Sequence, residues 1–335
     1  MTAVMRVISH FALLTIILFW PVAHAEVDCF QSDLYGSWTC MPPGSGPFPG
    51  VLYNHGGFGP AVGGDLYANA LGLAEAGFLA AAKARKPSSI SIPDSLSDVV
   101  DGYVMLVGYG NVDVDRLAVV GFSRGALLSL RLAEMYPETL KTVAMMAPAP
   151  GKIFDNGNTT LSLYLEDEEL SSLDASARFL LMVSENDVDE SVDHVGLVDQ
   201  VRDALLGQEI TTYHHLLDAW DDPDDLCPGT DPVGHCVFQG VDDGGQEPGL
   251  TDDVYFYHLV RHLACNLGTN APGTSDVTGD LSGDGTLNIL DVVSLVALVL
   301  DGDAPDACVA MLGDINHDDA LNVLDVVGLV ALILS

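Results

Sequence analysis

The stretch Leu117-Ala-Val-Val-Gly-Phe-Ser-Arg-Gly-Ala-Leu-Leu-Ser-Leu-Arg-Leu-Ala-Glu134 constrains this chain more than any other. It opens on an apolar run of the kind a buried strand carries, and Leu127, Leu130, Arg131 and Glu134 then recur at three- and four-residue steps, the spacing of a helix. Between the two patterns, Gly121-Phe-Ser-Arg-Gly125 has to turn the chain sharply. Only small residues two places before and after the serine let strand and helix approach so closely, and the serine itself is held in a sparsely populated backbone region. Alone, a Gly-x-Ser-x-Gly string is a polar turn of no chemical interest. Flanked by a strand and a helix, it reads as an elbow that lifts the Ser123 hydroxyl out of the end of a sheet, where it can act as a nucleophile.

Around the elbow, strand-like and helix-like segments alternate. Pro49–Asn54 reads as a strand, Tyr67–Ala76 as a helix ended by Gly77, Phe78–Ala84 as a strand and Asp94–Gly108 as a helix capped by Asp94. After the elbow come an apolar run at Thr142–Pro148 and an irregular polar insertion at Gly151–Ser176, read as a small lid or loop. A strand at Arg178–Val183, a helix at Val192–Leu206, a strand at Glu209–Leu217, a long acidic loop and a helix at Asp252–Asn266 complete this part. The preceding segment, Cys29–Pro49, is rich in Gly and Pro and reads as a short lead-in clipped by cysteine. Such alternation predicts an α/β fold, a mainly parallel sheet with helices on both faces, whose chemistry sits at the carboxyl ends of the strands.

A serine hydroxyl needs a base to take its proton, and the base needs an acid to hold its tautomer. Asp187 lies in the turn after the strand ending at Val183, and Asp189 is its close competitor. Of the ten histidines, His10 and His24 lie at the N-terminus, His317 near the C-terminus, His194 on a helix, His214 and His215 in a strand, and His258 and His262 on the last helix. That leaves His235, in Pro232-Val-Gly-His-Cys-Val-Phe238, as the base in the loop after the final strand. The order Ser, Asp, His suits a strand-turn-helix nucleophile. His55 belongs instead to His55-Gly-Gly-Phe58, a turn directly after a strand that can offer backbone N–H groups to a developing oxyanion.

The N-terminus, residues 1–25, has Arg6, an apolar core from Phe11 to Trp20, and Ala23-His-Ala25, the form of a cleaved secretory signal. Its core is short for a membrane span, so the expected mature chain is secreted and has none. Export makes disulfides of the six cysteines plausible chemistry, and neighbours in sequence suggest Cys29 with Cys40, Cys227 with Cys236 and Cys265 with Cys308. A formal charge of −36, from 48 acidic against 12 basic residues, excludes a generic nucleic-acid binder and disfavours anionic membranes.

With these residues in view, Gly50 to Asn266 resembles an α/β-hydrolase, and Val112-Asp-Val-Asp-Arg-Leu-Ala-Val-Val-Gly-Phe-Ser-Arg-Gly-Ala126 is similar to the elbow of dienelactone-hydrolase-like and prolyl-oligopeptidase-like members. The resemblance implies Ser123 as nucleophile, His235 as base and Asp187 as acid, with an oxyanion hole from the N–H of Arg124 and one from Gly57 or Phe58. Serine in place of the cysteine common in dienelactone hydrolases implies an esterase-like or peptidase-like relative. The chain has no propeller-sized N-terminal region, which counts against an oligopeptidase.

Composition changes after a linker at 268–275, and no Lys or Arg follows Arg261. Gly279-Asp-Leu-Ser-Gly-Asp-Gly-Thr-Leu-Asn-Ile-Leu-Asp291 recurs as Gly313-Asp-Ile-Asn-His-Asp-Asp-Ala-Leu-Asn-Val-Leu-Asp325, each copy followed by an apolar helix pattern. Oxygen ligands fall at loop positions 1, 3, 5, 7, 9 and 12, the spacing with which a short loop wraps calcium. The first set is Asp280, Ser282, Asp284, the Thr286 carbonyl, Asn288 and Asp291; the second is Asp314, Asn316, Asp318, the Ala320 carbonyl, Asn322 and Asp325. Asp at position 12 and the missing entering helix resemble a dockerin, a small all-α module of EF-hand-type repeats, which implies two structural calcium ions and a cohesin-like partner. Ser282 and Asp319 depart from that pattern.

The expected organisation is a signal at 1–25, an α/β-hydrolase domain at 26–267, a linker at 268–275 and a calcium-binding module at 276–335. The expected activity is cleavage of a small or polysaccharide-linked ester through an acyl-enzyme, with no catalytic cofactor. A peptidase or amidase on the same residues, and a binding protein with an inactive hydrolase domain, are the alternatives.

Overall fold

The structure is a computed structural model that describes residues 27–57, 65–89, 91–149, 151–155, 158–162, 170–188, 192–219, 232–238, 254–267, 279–282, 286–301, 312–316 and 320–334. The signal-like segment, most of the acidic loop and the linker lie outside them. In chain order, β1 (Asp28–Gln31), β2 (Trp38–Met41), β3 (Phe48–Asn54), α1 (Leu66–Glu75), β4 (Leu79–Lys83), α2 (Ile92–Val107), β5 (Val112–Phe122) and α3 (Arg124–Met135) come first. There follow β6 (Leu140–Met146), β7 (Gly151–Asp155), β8 (Asn158–Ser162), β9 (Arg178–Ser184), α4 (His194–Gly207), β10 (Thr212–Leu217) and α5 (Val254–Leu267). Two further helices, α6 (Ile289–Asp301) and α7 (Val323–Leu334), close the chain.

Eight strands form one sheet in the order β1-β2-β4-β3-β5-β6-β9-β10. The β2 strand runs antiparallel to both its neighbours, and every pair from β4 to β10 is parallel. The sheet is thus parallel except at one edge, where β1 and β2 are added antiparallel. Because side chains alternate across a strand, β5 sends Ala118, Val120 and Phe122 to one face and Leu117 and Val119 to the other. The first face is covered by α1 and α5, the second by α2, α3 and α4. Both faces are therefore dry, which is why the central strands read as continuous apolar runs.

Three expectations change. Residues 29–49 are more than a lead-in: β1 and β2 extend the sheet, and the Cys29–Cys40 disulfide joins residues directly opposite in their register. The helix placed at Asp94 begins at Ile92 with Ser91 as its cap, the Ser91 hydroxyl accepting from the Asp94 N–H at 3.1 Å and Pro93 in the first turn. The segment after residue 150 contains an antiparallel hairpin, β7 with β8, in which Asp155 pairs with Asn158 across the Asn156-Gly157 dipeptide. Asn-Gly is the dipeptide that two-residue hairpin turns favour. Cys236 and Cys265 are each disulfide-bonded, and their expected partners lie outside the described residues.

Helices α6 and α7 pack on each other through Val292, Leu295 and Leu329. They leave Ile289, Leu290 and Val293 on one helix, and Val323, Leu324 and Val327 on the other, exposed. This pair meets the sheet domain at α5, where Cys265 and Tyr257 pack with Leu281 and Leu312 and the Arg261 Nη2 donates to the Asp280 carbonyl at 2.9 Å. Among the described residues, no helix is long and apolar enough to cross a membrane.

Candidate active site

The elbow has the geometry its glycines require. Ser123 stands between β5 and α3 with φ 52 and ψ −119, a region that L residues rarely occupy. Its N–H donates to the Met146 carbonyl at 2.8 Å, and its carbonyl accepts from the N–H groups of Ala126 and Ala149, each at 3.0 Å. A Cβ on Gly121 would lie 2.3 Å from the Gly125 carbonyl oxygen, and one on Gly125 would lie 2.0 Å from the Asn54 carbonyl oxygen. Strand, helix and the end of β3 thus meet with no room for a side chain at either glycine.

Two neighbouring turns bring the acid and base together. Asp187 is fully buried just beyond β9, and His235 is 5% exposed in a short 3-10 helix (Val233–Phe238), where an open loop was expected. Gly234 permits the approach, since a Cβ there would sit 2.6 Å from the Asp187 nitrogen. The His235 Nδ1 lies 2.9 Å from Asp187 Oδ2. A carboxylate can only accept, so Nδ1 carries the proton and Nε2 keeps its lone pair. The other carboxylate oxygen, Oδ1, is buried and accepts no hydrogen bond among the described residues. The Phe122 ring, next to Ser123 in the chain, packs 4.8 Å from the imidazole centroid. Among the described residues, Ser123 Oγ makes no hydrogen bond to His235; catalytic hydrogen bonds often form only when substrate binds.

A second histidine belongs to this cluster. His194, at the start of α4, is buried and stacks on His235 with centroids 4.2 Å apart. Its N–H donates to the Asp187 carbonyl at 3.1 Å, and its Nδ1 is 3.1 Å from the Pro148 carbonyl oxygen. Asp187, His194 and His235 each offer a potential ligand atom to a metal within 4.8 Å of the others. The two rings are stacked, however, 24° from parallel, and in-plane lone pairs of stacked rings do not converge on one ion. A hydrogen-bonded acid–base cluster fits this geometry better than a metal centre.

The turn expected to form the oxyanion hole is buried at His55 and close to the serine. A Cβ on Gly56 would lie 3.2 Å from the Ser123 Cβ, and Gly57 has φ 65, which only glycine adopts without strain. Phe58 lies outside the described residues. Arg124, the residue after Ser123, starts α3 and is buried, its Nη2 donating to Ser95 Oγ at 3.3 Å. Burial lowers its pKa to about 10, so it remains cationic at neutral pH.

The two C-terminal loops repeat in three dimensions as they do in sequence. Asp291 accepts from the Ser282 N–H and the Asn288 N–H, both at 2.8 Å. Asp325 accepts from the N–H groups of Ile315 at 3.0 Å, Asn316 at 3.4 Å and Asn322 at 2.8 Å. Both carboxylates are fully buried, and among the described residues neither faces a cationic side chain. Asp280 and Asp314 are buried at the head of each loop, and the carbonyls of Thr286 and Ala320 accept from Asn288 and Asn322 at 2.9 Å. Asp284 and Asp318 lie outside the described residues. Asp291 and Asp325, buried with main-chain N–H partners at the end of each loop, are part of a donor set that a divalent cation would complete, so the residues present fit the group.

The acid and base expected from the sequence are therefore in contact, and the competitor Asp189 lies outside the described residues. His194 and Arg85, which lies beneath the 55–57 turn, were not foreseen. The sequence matches no protein-family model and no curated protein. Among solved structures, the chain is similar to an α/β-hydrolase enzyme from a Medee basin deep-sea metagenome library, at 17% identity over 73% of this chain and 100% of that one, TM-score 0.47. It is similar to esterase B from Lactobacillus Rhamnosis at 15% identity, over 71% and 86% of the two chains, TM-score 0.46. A protein assigned as a dienelactone hydrolase from Klebsiella pneumoniae matches at 19% identity, over 55% and 80%, TM-score 0.42.

Proposed function

We propose that this chain is a secreted serine hydrolase that cleaves carboxylic esters and carries a calcium-dependent docking module. The observation that carries the catalytic half is one arrangement: a serine held at φ 52 on a strand-helix turn, its chain neighbour Phe122 packed on a buried histidine whose Nδ1 lies 2.9 Å from a buried aspartate. In this reading, the His235 Nε2 takes the Ser123 proton as Oγ attacks the ester carbonyl. Backbone N–H groups of Arg124 and of Gly57 or Phe58 receive the oxyanion. The tetrahedral intermediate collapses to an acyl-Ser123, and the alcohol leaves with the proton held by His235. Water then reverses the sequence, releasing the acid and restoring the serine. Asp187 stabilises the imidazolium without taking its proton.

The docking half rests on the duplicated loops. Calcium, when bound, supplies the positive charge that lets two rings of oxygens converge. Asp280, Ser282, Asp284, Thr286, Asn288 and Asp291 would hold one ion, and Asp314, Asn316, Asp318, Ala320, Asn322 and Asp325 the other. The exposed apolar residues of α6 and α7 would face a cohesin-like partner. A substrate panel tests the first half: neutral esters, the matching amides and an acetylated polysaccharide, each against wild type and Ser123→Ala. Ester turnover lost in the variant supports the reading, and faster amide cleavage or equal turnover in the variant rejects it.

A further inference from the structure

A buried arginine needs partners for its donors, and both Nη groups of Arg85 have them, while its Nε has none among the described residues. Arg85, just beyond β4, is 1% exposed, and its guanidinium turns to main-chain carbonyls. Nη1 donates to the His55 carbonyl at 2.8 Å, and Nη2 to the carbonyls of Gly56 and Gly57 at 2.7 and 2.6 Å. Three successive carbonyls of the turn therefore point at one cation. The Arg85 N–H donates to His55 Nε2 at 3.3 Å, and His55 Nδ1 lies 2.7 Å from the Gly56 carbonyl oxygen. These partners assign the ring's proton to Nδ1 and its lone pair to Nε2. The 3.1 Å approach of Nη2 to Nδ1 is then a contact of two donors, and the Gly56 oxygen accepts from both.

Within a trans peptide, the carbonyl and the next N–H lie in one plane and point in opposite directions. Holding the Gly56 oxygen towards Arg85 turns the Gly57 N–H away from it. We infer that Arg85 is a positioning residue for the proposed reaction: it aims the oxyanion donors by drawing the carbonyls of residues 55–57 to the far side of the turn. Its charge adds to the effect, since a cation behind the peptide dipoles favours an anion in front of them. Burial, and next the charge of Arg124, lowers the Arg85 pKa to about 10, which leaves it cationic at neutral pH. The inference rests on Ser123 being the nucleophile.

The test uses the full-length protein as wild type, Arg85→Lys and Arg85→Met. Active sites are titrated with a fluorophosphonate, kcat and KM are measured on a neutral p-nitrophenyl ester, and affinities are measured for a boronic acid and for an uncleaved amide analogue. A lysine keeps the charge but cannot reach three carbonyls, so kcat per titrated site should fall about a hundredfold while KM moves less than about threefold. The boronic acid, whose tetrahedral adduct uses the hole, should weaken in step with kcat, and the amide analogue should not. Unchanged kcat per titrated site and unchanged boronic acid affinity, with only a lower melting temperature or fewer titrated sites, would overturn the inference and leave Arg85 a structural residue. If neither variant folds, the Arg85 Nη–H resonances of the wild type decide: a shift on forming the boronate adduct supports the clamp and none overturns it. A wild type that the fluorophosphonate does not label, by contrast, removes the serine assignment itself.

Discussion

Replacing His262 with glutamine should flatten the acid side of the stability curve. His262 is 7% exposed on α5, and its Nε2 meets the Thr142 hydroxyl. That hydroxyl donates to the Arg178 carbonyl at 2.7 Å, so it accepts from the ring, and Nε2 bears the proton. The remaining nitrogen, Nδ1, faces the Asn266 amide Nδ2 at 3.4 Å, and a proton there would set donor against donor. Burial, then the charge of His215, lowers the His262 pKa to about 3. The unfolded imidazole titrates near the ordinary histidine value of 6.5. The folded pKa lies below the unfolded one, so the contribution is intact above about pH 6.5 and is lost as pH falls towards 3. At pH 5 the unfolded ring is protonated and the folded one is not, a loss of about 2 kcal/mol relative to pH 8 at about 1.4 kcal/mol per pH unit. His215, lowered to about 4 by burial and then by the charge of His258, adds in the same direction, and being partly exposed it adds less. Glutamine can still donate to Thr142 and does not titrate. Urea unfolding with calcium present and disulfides intact, at pH 8, 7, 6 and 5, should give a variant less stable at pH 8 whose curve converges on the wild type by pH 5. Parallel curves would refute the reasoning.

Three further outcomes follow from the same structure. Gly125→Ala should cost at least about 3 kcal/mol in urea unfolding or leave no folded protein, because its Cβ would meet the Asn54 carbonyl oxygen at 2.0 Å. Asp187→Asn should lower kcat by about ten-thousandfold with little change in melting temperature, and Asp189→Asn should be mild; the reverse order in steady-state kinetics would move the acid to Asp189. Chelation should unfold α6 and α7, seen by proteolysis of the C-terminal 60 residues, while turnover of a small soluble ester persists; loss of turnover without loss of the module would contradict that division.

The elbow, the parallel sheet and the pairing of Asp187 with His235 were legible in the sequence because each depends on local chemistry: glycine spacing, apolar runs, and polar residues at strand ends. What escaped depends on pairing at a distance. Residues 29–49 carry too few apolar positions to announce two strands, and it is the Cys29–Cys40 bridge and the free edge of β4 that recruit them. The β7–β8 hairpin escaped because its residues are largely polar and show no apolar alternation that would announce strands. Asp94 reads as a cap because Asp caps well, but the serine three residues earlier with proline between them is the stronger start. His194 was set aside as a helical histidine, and only the packing of α4 against the 233–238 turn brings it onto His235. In the sequence, Arg85 is a basic residue just after a strand-like run. Nothing local says that a guanidinium will be buried under a turn thirty residues earlier.

The central claim is that Ser123 is an activated nucleophile served by His235. Its most direct test is intact-mass and peptide mapping after incubation of the folded wild type with a fluorophosphonate. The account predicts one adduct per chain, on Ser123, absent in Ser123→Ala and formed about a thousandfold more slowly or worse in His235→Ala. A folded wild type that takes no label, or one whose label lies on another residue and survives Ser123→Ala, would contradict it.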